Sequence, residues 1–450
     1  MKTKSIKIVN LFAVIILIAS VYFVFITKKT EFEFEYSSKY DGYVLTKYLG
    51  YDKSVKIPDQ YKSKKIIGIA NRAFYKNNDV KNIVFGKNIL IISNESFALS
   101  KIESIELNDE LEYIGYAAFY NCVNLKKINL EKTSLLEIYP YAFSGCLNLE
   151  ISLSFPNSLT KIHNYAFQNC YSIEYVTLNE GLVYIGDGAF NHCRNAKNKR
   201  FIIPNSLIQI GGDTYVENND VLGTHVFYDF ASKNNCLFIV EKNNQNYCSI
   251  DGVLYTKINN EPKYLVAYPE AKKDVVYYMP NSVVDAYELS FGKNEYLRDI
   301  YLSDSFIIYE VFNQEKPKNY LNTGNNLATA IYCRNYIENI YTNLENQNFT
   351  AIDGILYSKN LKKAIYVPIF NSTDEELVIK DGVEEIINGA FYFNDLTESF
   401  YENPKLKLPS SLISIHENSL GAINETNWII EFESNGYYQL SDGKIIRAEQ

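Results

Sequence analysis

The 450-residue sequence offers few side chains for metal or acid–base chemistry, with four histidines and seven cysteines. His163 lies near Cys170, and His192 precedes Cys193, and these are residue types that bind zinc. Both cysteines also recur at a fixed place in a repeated pattern, which favours burial in a packed core over ligation. We therefore expect no metal site and no cofactor.

Four of the cysteines are spaced by 23 or 24 residues: Cys122, Cys146, Cys170 and Cys193. If successive copies stack like parallel strands, roughly 4.8 Å apart, neighbouring cysteines fall within the Cα distance of a disulfide. Side chains in register point the same way, however, and Asn77 and Ser100 fill the same place in other copies. The pattern favours buried free thiols, and disulfides are the alternative.

Motifs of the common enzyme classes are missing from the sequence. It contains no nucleophile elbow, H-E-x-x-H, phosphate-binding loop or C-x-x-C pair. The net charge is −9, and because no Asp or Glu precedes Glu31, the chain beyond the first lysines is more acidic still. Such a chain lacks the basic surface that nucleic acids require. We predict a protein that is not an enzyme and does not bind nucleic acid.

A repeated sequence pattern sets the positions of the cysteines described above. Its landmark is a buried-type dipeptide, Ala-Phe or Ser-Phe, whose phenylalanines are spaced by 23, 22, 24, 24 and 23 residues: Phe74, Phe97, Phe119, Phe143, Phe167 and Phe190. An aliphatic run of the form L-x-x-I-x-L follows each dipeptide, as at Leu125, Ile128 and Leu130. Alternation at period two predicts a short strand. About 23 residues cannot bury such a face alone, so we predict stacked coils with a column of phenylalanine rings inside.

At this level of detail the repeat resembles the BspA-type leucine-rich repeat of bacterial and protist surface antigens. The resemblance is carried by ELEYIGYAAFYNCVNLKKINL (110–130), SLTKIHNYAFQNCYSIEYVTL (158–178) and GLVYIGDGAFNHCRN (181–195). It implies an α/β-type repeat solenoid with a parallel β-sheet on one face, a cell-surface location and an adhesive role.

A second motif centres on Asp-Gly, a tight-turn signal followed by alternating apolar residues. Full copies occur at 249–255 and 351–357, and weaker ones at 40–45 and 441–446. We interpret them as β-hairpins that interrupt the solenoid.

The repeats divide the chain into five parts. We expect a membrane anchor or signal segment (1–29), a spacer or capping hairpin (30–54), a regular solenoid (55–211), a degenerate coil with a hairpin (212–274) and a second, interrupted array (275–450). Phe291 and Phe391 take the phenylalanine place in the second array. The stretch 303–349 fits no repeat, and we expect a helix near 327–344.

The N-terminal segment Ile8–Thr27 is twenty residues without a charge, flanked by lysines. As a helix it would span roughly 30 Å, enough to cross a bilayer. It is long for a signal peptide and lacks a good cleavage site. We predict a single-pass membrane protein whose C-terminal region is extracellular; secretion after signal cleavage is the alternative.

The 39 tyrosines suit recognition, because tyrosine is large, rigid and polar at one end. Enrichment in Tyr, Lys and Asn also follows from AT-rich coding, and the sequence leaves both explanations open. Outward positions on the predicted strands give four candidate contact residues: Glu106, Asn129, Ser152 and Thr177. We predict a surface protein that binds a protein or surface-polymer ligand, or adheres to host or neighbouring cells. The alternative is an envelope or surface-layer protein that assembles with itself.

Overall fold

The computed structural model describes residues 31–212, 226–308 except 288, 331, 336–368, 376–391, 405–416, 419, 429–432, 437–441 and 444–448. The predicted anchor at 8–27 lies outside these residues. In the described part of the chain, no helix has the length and apolar character needed to cross a bilayer.

Each coil of the regular array contributes short parallel strands to two separate ladders. The first ladder contains Gly42–Tyr48, Lys64–Ile69, Ile91–Ile92, Tyr113–Ile114, Glu137–Ile138, Lys161–Ile162, Tyr184–Ile185 and Gln209–Ile210. The second contains Ser54–Lys56, Asn82–Val84, Ser104–Glu106 and Lys127–Ile128, then the pair Ser152–Ser154 with Tyr175–Thr177 and the pair Arg200–Ile203 with Leu237–Val240. Antiparallel strands Phe32–Ser37 and Gln60–Tyr61 close the N-terminal end of the first ladder.

The predicted column of phenylalanine rings is confirmed. Ring centroids of Phe97, Phe119 and Phe143 are 5.0 Å apart at each step, and interplanar angles are 4° and 7°. The six repeat phenylalanines are almost completely buried. Burying a phenylalanine contributes roughly 1.5–3 kcal/mol, so the column is a large part of the core that holds the coils together.

The four repeat cysteines line the same core as free, buried thiols: Cys122, Cys146, Cys170 and Cys193. Each thiol donates to the carbonyl oxygen of the phenylalanine one coil earlier; the Cys146 and Cys170 Sγ atoms lie 3.2 Å from Phe119 O and Phe143 O. A buried thiol therefore fills a small space and satisfies a backbone acceptor at once.

Two parts of the expected fold class are wrong. The described residues contain almost no helix, so the coil is not of the α/β type, and parallel strands line two sides of the coil instead of one. The Ala-Phe segment explains the missing helix. It carries two residues with positive φ per coil, such as Tyr141 (59°) and Gly145 (77°), and a right-handed helix does not admit this conformation.

The Asp-Gly hairpins are confirmed. Tyr247–Ile250 pairs antiparallel with Val253–Ile258, and Phe349–Ile352 pairs with Ile355–Ser358. In the first hairpin, Asp251 and Gly252 have φ values of 48° and 79°, as a tight hairpin turn with two left-handed residues requires. The strand that follows each hairpin returns to parallel pairing, so the hairpins are built into the ladder and do not end it.

The second array forms further sets of strands, in sheets separate from the two ladders, around a second hydrophobic core that includes Phe291 and Phe391. Strands beside the hairpins are Glu261–Ala267, Asp285–Ala286, Lys363–Tyr366, Glu385–Ile386, Ser414–His416, Tyr437–Ser441 and Lys444–Ala448. Strands of the opposite side are Val276–Tyr278, Asp299–Tyr301, Asn339–Tyr341, Glu376–Val378, Lys405–Leu408 and Ile429–Phe432. The strand Asn339–Tyr341 falls within the helix expected near 327–344, so that expectation is wrong for these residues. Ile340 packs in the apolar core as a strand residue.

Candidate binding surface

Three of the four predicted contact residues lie on the outward side of the second ladder, and the fourth, Asn129, directly follows the strand Lys127–Ile128. Glu106 and Thr177 end their strands and are exposed, and Ser152 begins its strand and is exposed. Their neighbours Ile105 and Val176 are buried, as the period-two alternation requires.

The four residues do not form one row. Ser152 is aligned with Tyr175, whereas Thr177 is aligned with Ser154. Between the first four strands and this pair, the 3₁₀ turn Leu130–Lys132 interrupts the ladder. The four residues therefore lie in different rows of two separate strand sets.

Asn129 is engaged in the architecture. Its Oδ1 accepts the Leu107 N–H at 2.7 Å, and its Nδ2 donates to the Leu107 carbonyl oxygen at 3.0 Å. Asn198 forms the same pair of bonds with Val176. The side-chain amide replaces a strand partner where backbone pairing stops, so Asn129 has little capacity left for a ligand.

An open groove of about 650 Å³ adjoins the 3₁₀ turn and brings Glu106 and Asn129 together; Ser152 and Thr177 do not line it. Its charged side chains are of both signs: Glu106, Asp109, Glu131, Glu150, Lys127 and Lys132. The groove is wide, and charge alone does not select one kind of partner.

A third side of the coil is formed by the Ala-Phe turns. The N–H groups of Phe97, Phe119 and Phe143 donate to the carbonyl oxygens of the alanines one coil later, at 2.7–2.8 Å. These bonds make a regular spine although no strand is present. The residues with positive φ belong to these turns, and the sequence motif gave no indication of this side as a surface of its own.

Four tyrosines surround a depression on this turn side, which we call the tyrosine cleft: Tyr75, Tyr116, Tyr120 and Tyr141. The cleft has a volume of about 360 Å³, and the small side chains Ala98 and Ala117 leave it open. Tyr116 is 44% exposed and Tyr120 is 38% exposed. The volume falls in the range of small-molecule sites, and the tyrosines come from three different coils.

Charged groups stand at one end of the tyrosine cleft. Glu95, which lines it, accepts a hydrogen bond from Arg72 Nε at 2.7 Å. This bond raises the pKa of the Arg72 guanidinium. Burial raises the pKa of the Tyr141 phenol, so that hydroxyl stays protonated at neutral pH.

Comparison with known proteins agrees with this architecture. Residues 67–197 and 136–226 match the model described as "BspA type Leucine rich repeat region", in six copies. Residues 67–226 are therefore similar to BspA-type leucine-rich repeats, and we call them the BspA-type region. No curated protein matches the chain.

One solved structure resembles the chain beyond the BspA-type region. A leucine rich cell surface protein from Faecalibacterium prausnitzii A2-165 is 19% identical, with a TM-score of 0.62 over 91% of this chain and 94% of that protein. The T. pallidum leucine rich repeat protein is 28% identical, with a TM-score of 0.36 over 39% of this chain and 84% of that one. The first of these establishes a shared solenoid fold.

The histidines do not share a site with the cysteines beside them in sequence. His192 Nδ1 lies 2.7 Å from Asp229 Oδ2, while Cys193 faces the core of the BspA-type region. His163 Nε2 lies 3.0 Å from Glu137 Oε2. Within the described ranges, no group of three or more His, Cys, Asp or Glu side chains could hold a metal ion.

A buried polar cluster lies where the BspA-type region meets the second array. Burial opposes ionisation of Asp229, but hydrogen bonds from His192 and Ser232 and the charge of Lys293 hold its pKa well below the usual range. Glu270 Oε1 accepts the Asp229 N–H at 2.5 Å, while Glu270 Oε2 is buried and has no hydrogen-bond partner among the described residues. Burial raises the pKa of Glu270 to about 8. Sequence reasoning missed this pair, which is 41 residues apart.

Proposed function

We propose that this chain is a non-enzymatic surface protein that adheres to a partner cell or surface through its tyrosine cleft. The observation that carries the proposal is the exposure of Tyr116 and Tyr120 beside a concave space floored by Ala98 and Ala117. Grouped exposed aromatic side chains are typical of interaction sites, and tyrosine loses little conformational entropy when it is bound.

The turn side suits this role better than the strand face. On the strand face Asn129 is committed to Leu107, and the groove beside it carries charges of both signs. In the tyrosine cleft the backbone is fixed, because Tyr116 N–H donates to Asn94 Oδ1 at 3.0 Å and its carbonyl oxygen accepts the Glu95 N–H at 2.9 Å. Preorganised contact groups reduce the entropic cost of binding.

Adhesion requires that the cleft face the outside of the cell. We infer a topology in which residues 8–27 anchor the chain and the coils lie outside, with secretion after cleavage as the second possibility. Protease treatment of intact cells tests this: loss of the protein before lysis is expected. An intact protein that is degraded only after lysis would reverse the topology.

Adhesion itself is tested with beads that carry the full chain, applied to cultured epithelial cells and to immobilised matrix proteins. Attachment is expected to exceed that of an unrelated repeat solenoid and to fall in the double variant Tyr116→Ala/Tyr120→Ala. Tyr175→Ala is the matched control, because Tyr175 is similarly exposed but lies on the strand face. Equal attachment of all beads would remove support for the proposal. A light-scattering series in which mass grows with concentration would favour self-assembly instead.

A further inference from the structure

The tyrosine cleft contains two aromatic surfaces available to a ligand. Tyr120 makes no ring contact within the described residues, and Tyr116 contacts one ring there, that of Tyr141, with ring centres 5.8 Å apart and an interplanar angle of 69°. Tyr75 differs, because Arg72 and Lys76 each lie 5.2 Å from its ring centre. A ligand with a flat apolar face therefore finds Tyr116 and Tyr120 open and Tyr75 already covered.

Charge around the cleft narrows the class of ligand. Arg72 and Lys76 carry two positive charges near the cleft, and Glu95 carries one negative charge. This balance does not favour a cation such as a quaternary ammonium group. The Arg72–Glu95 pair instead places hydrogen-bond donors and acceptors side by side. Adjacent hydroxyl groups, each of which donates and accepts, complement such a pair.

We propose that the tyrosine cleft binds a neutral hexose unit of a surface polysaccharide. The axial C–H groups of the sugar ring would rest on Tyr116 and Tyr120, and its hydroxyls would bond to Glu95 and Arg72. This inference rests on the proposed function, since it names the ligand of the same site. A sugar would use both the tyrosine rings and the neighbouring Arg72–Glu95 pair. An apolar peptide segment would cover the rings but leave the polar groups of that pair without a hydrogen-bond partner from the ligand.

The test is saturation-transfer NMR on the full chain with four neutral probes: maltotriose, cellotriose, mannotriose and tri-N-acetylchitotriose. At least one probe is expected to bind, with the strongest transfer to its ring C–H protons. Tyr116→Ala and Tyr120→Ala should each weaken its Kd about fivefold or more, whereas Tyr120→Phe should retain binding. Glu95→Ala should weaken binding, and Tyr175→Ala should not. An unchanged thermal unfolding midpoint in each variant separates lost contact from lost fold.

The outcomes distinguish the two proposals. Absence of transfer to all four probes, or equal Kd values for wild type and Tyr116→Ala, overturns the sugar assignment. If the cleft variants lose adhesion while no probe binds, the surface-binding role stands and the ligand class is wrong. If a probe binds in the cleft but adhesion is unaffected, the sugar site stands and the adhesive role fails.

Discussion

The pH dependence of stability tests most directly whether the Glu270 carboxyl is buried at the junction between the two arrays. Its carboxyl is buried, and its pKa is raised from the ordinary 4.5 to about 8. Between these values the unfolded chain releases the proton and the folded chain keeps it, so the folded state loses stability as pH rises. The free energy of unfolding falls with a slope that approaches about 1.4 kcal/mol per pH unit. The total loss is roughly 3 kcal/mol between pH 5 and pH 8.

The substitution Glu270→Gln removes this titration and keeps a side-chain oxygen to accept the Asp229 N–H. We expect the variant and the wild type to be similar at pH 5 and the variant to be more stable by about 3 kcal/mol at pH 8. The free energy of unfolding is measured with urea by circular dichroism at pH 5, 6, 7 and 8. Asp229 does not contribute within this window, because a depressed carboxyl pKa affects stability only as pH falls through the acid range.

Glu106→Gln is the control, because it makes the same chemical change at an exposed position on the strand face. Its pH profile should follow that of the wild type. Parallel profiles for Glu270→Gln and the wild type from pH 5 to pH 8 would show that Glu270 is ionised in the folded protein. The assigned burial of its carboxyl would then be wrong.

Three further predictions concern the coils. Phe143→Ala removes one ring from the column and should lower the unfolding free energy by about 3–5 kcal/mol in a urea titration, whereas a change within about 0.5 kcal/mol would contradict the column. Gly145→Ala should lower the melting temperature more than Gly382→Ala, since both glycines have positive φ but only a Cβ at position 145 would crowd another described group, Asn121 Oδ1; equal melting temperatures would refute the crowding. Burial raises the pKa of the Cys122 thiol to about 12, so it should not react with Ellman's reagent until the protein is unfolded, and rapid reaction of the native protein would disprove its burial.

The sequence alone determined the features that repeat within one coil. The spacing of Phe119, Phe143 and Phe167 is enough to place them in a column, because any stack of equal coils superimposes equivalent residues. Asp-Gly followed by alternating apolar residues similarly predicts a hairpin from local backbone preferences. These inferences hold because they depend on neighbours along the chain.

Features that depend on how coils meet were decided only by the tertiary structure. Ser152 is aligned with Tyr175 and not with Thr177, and both amide atoms of Asn129 are bonded to Leu107 in the adjacent coil. The tyrosine cleft is lined by tyrosines from three coils and by Ala98 and Ala117 from two, so no single repeat contains it. Asp229 and Glu270 meet only because the chain returns after 41 residues. Spacing sets the phase inside a coil, but packing between coils sets which side chains share a site.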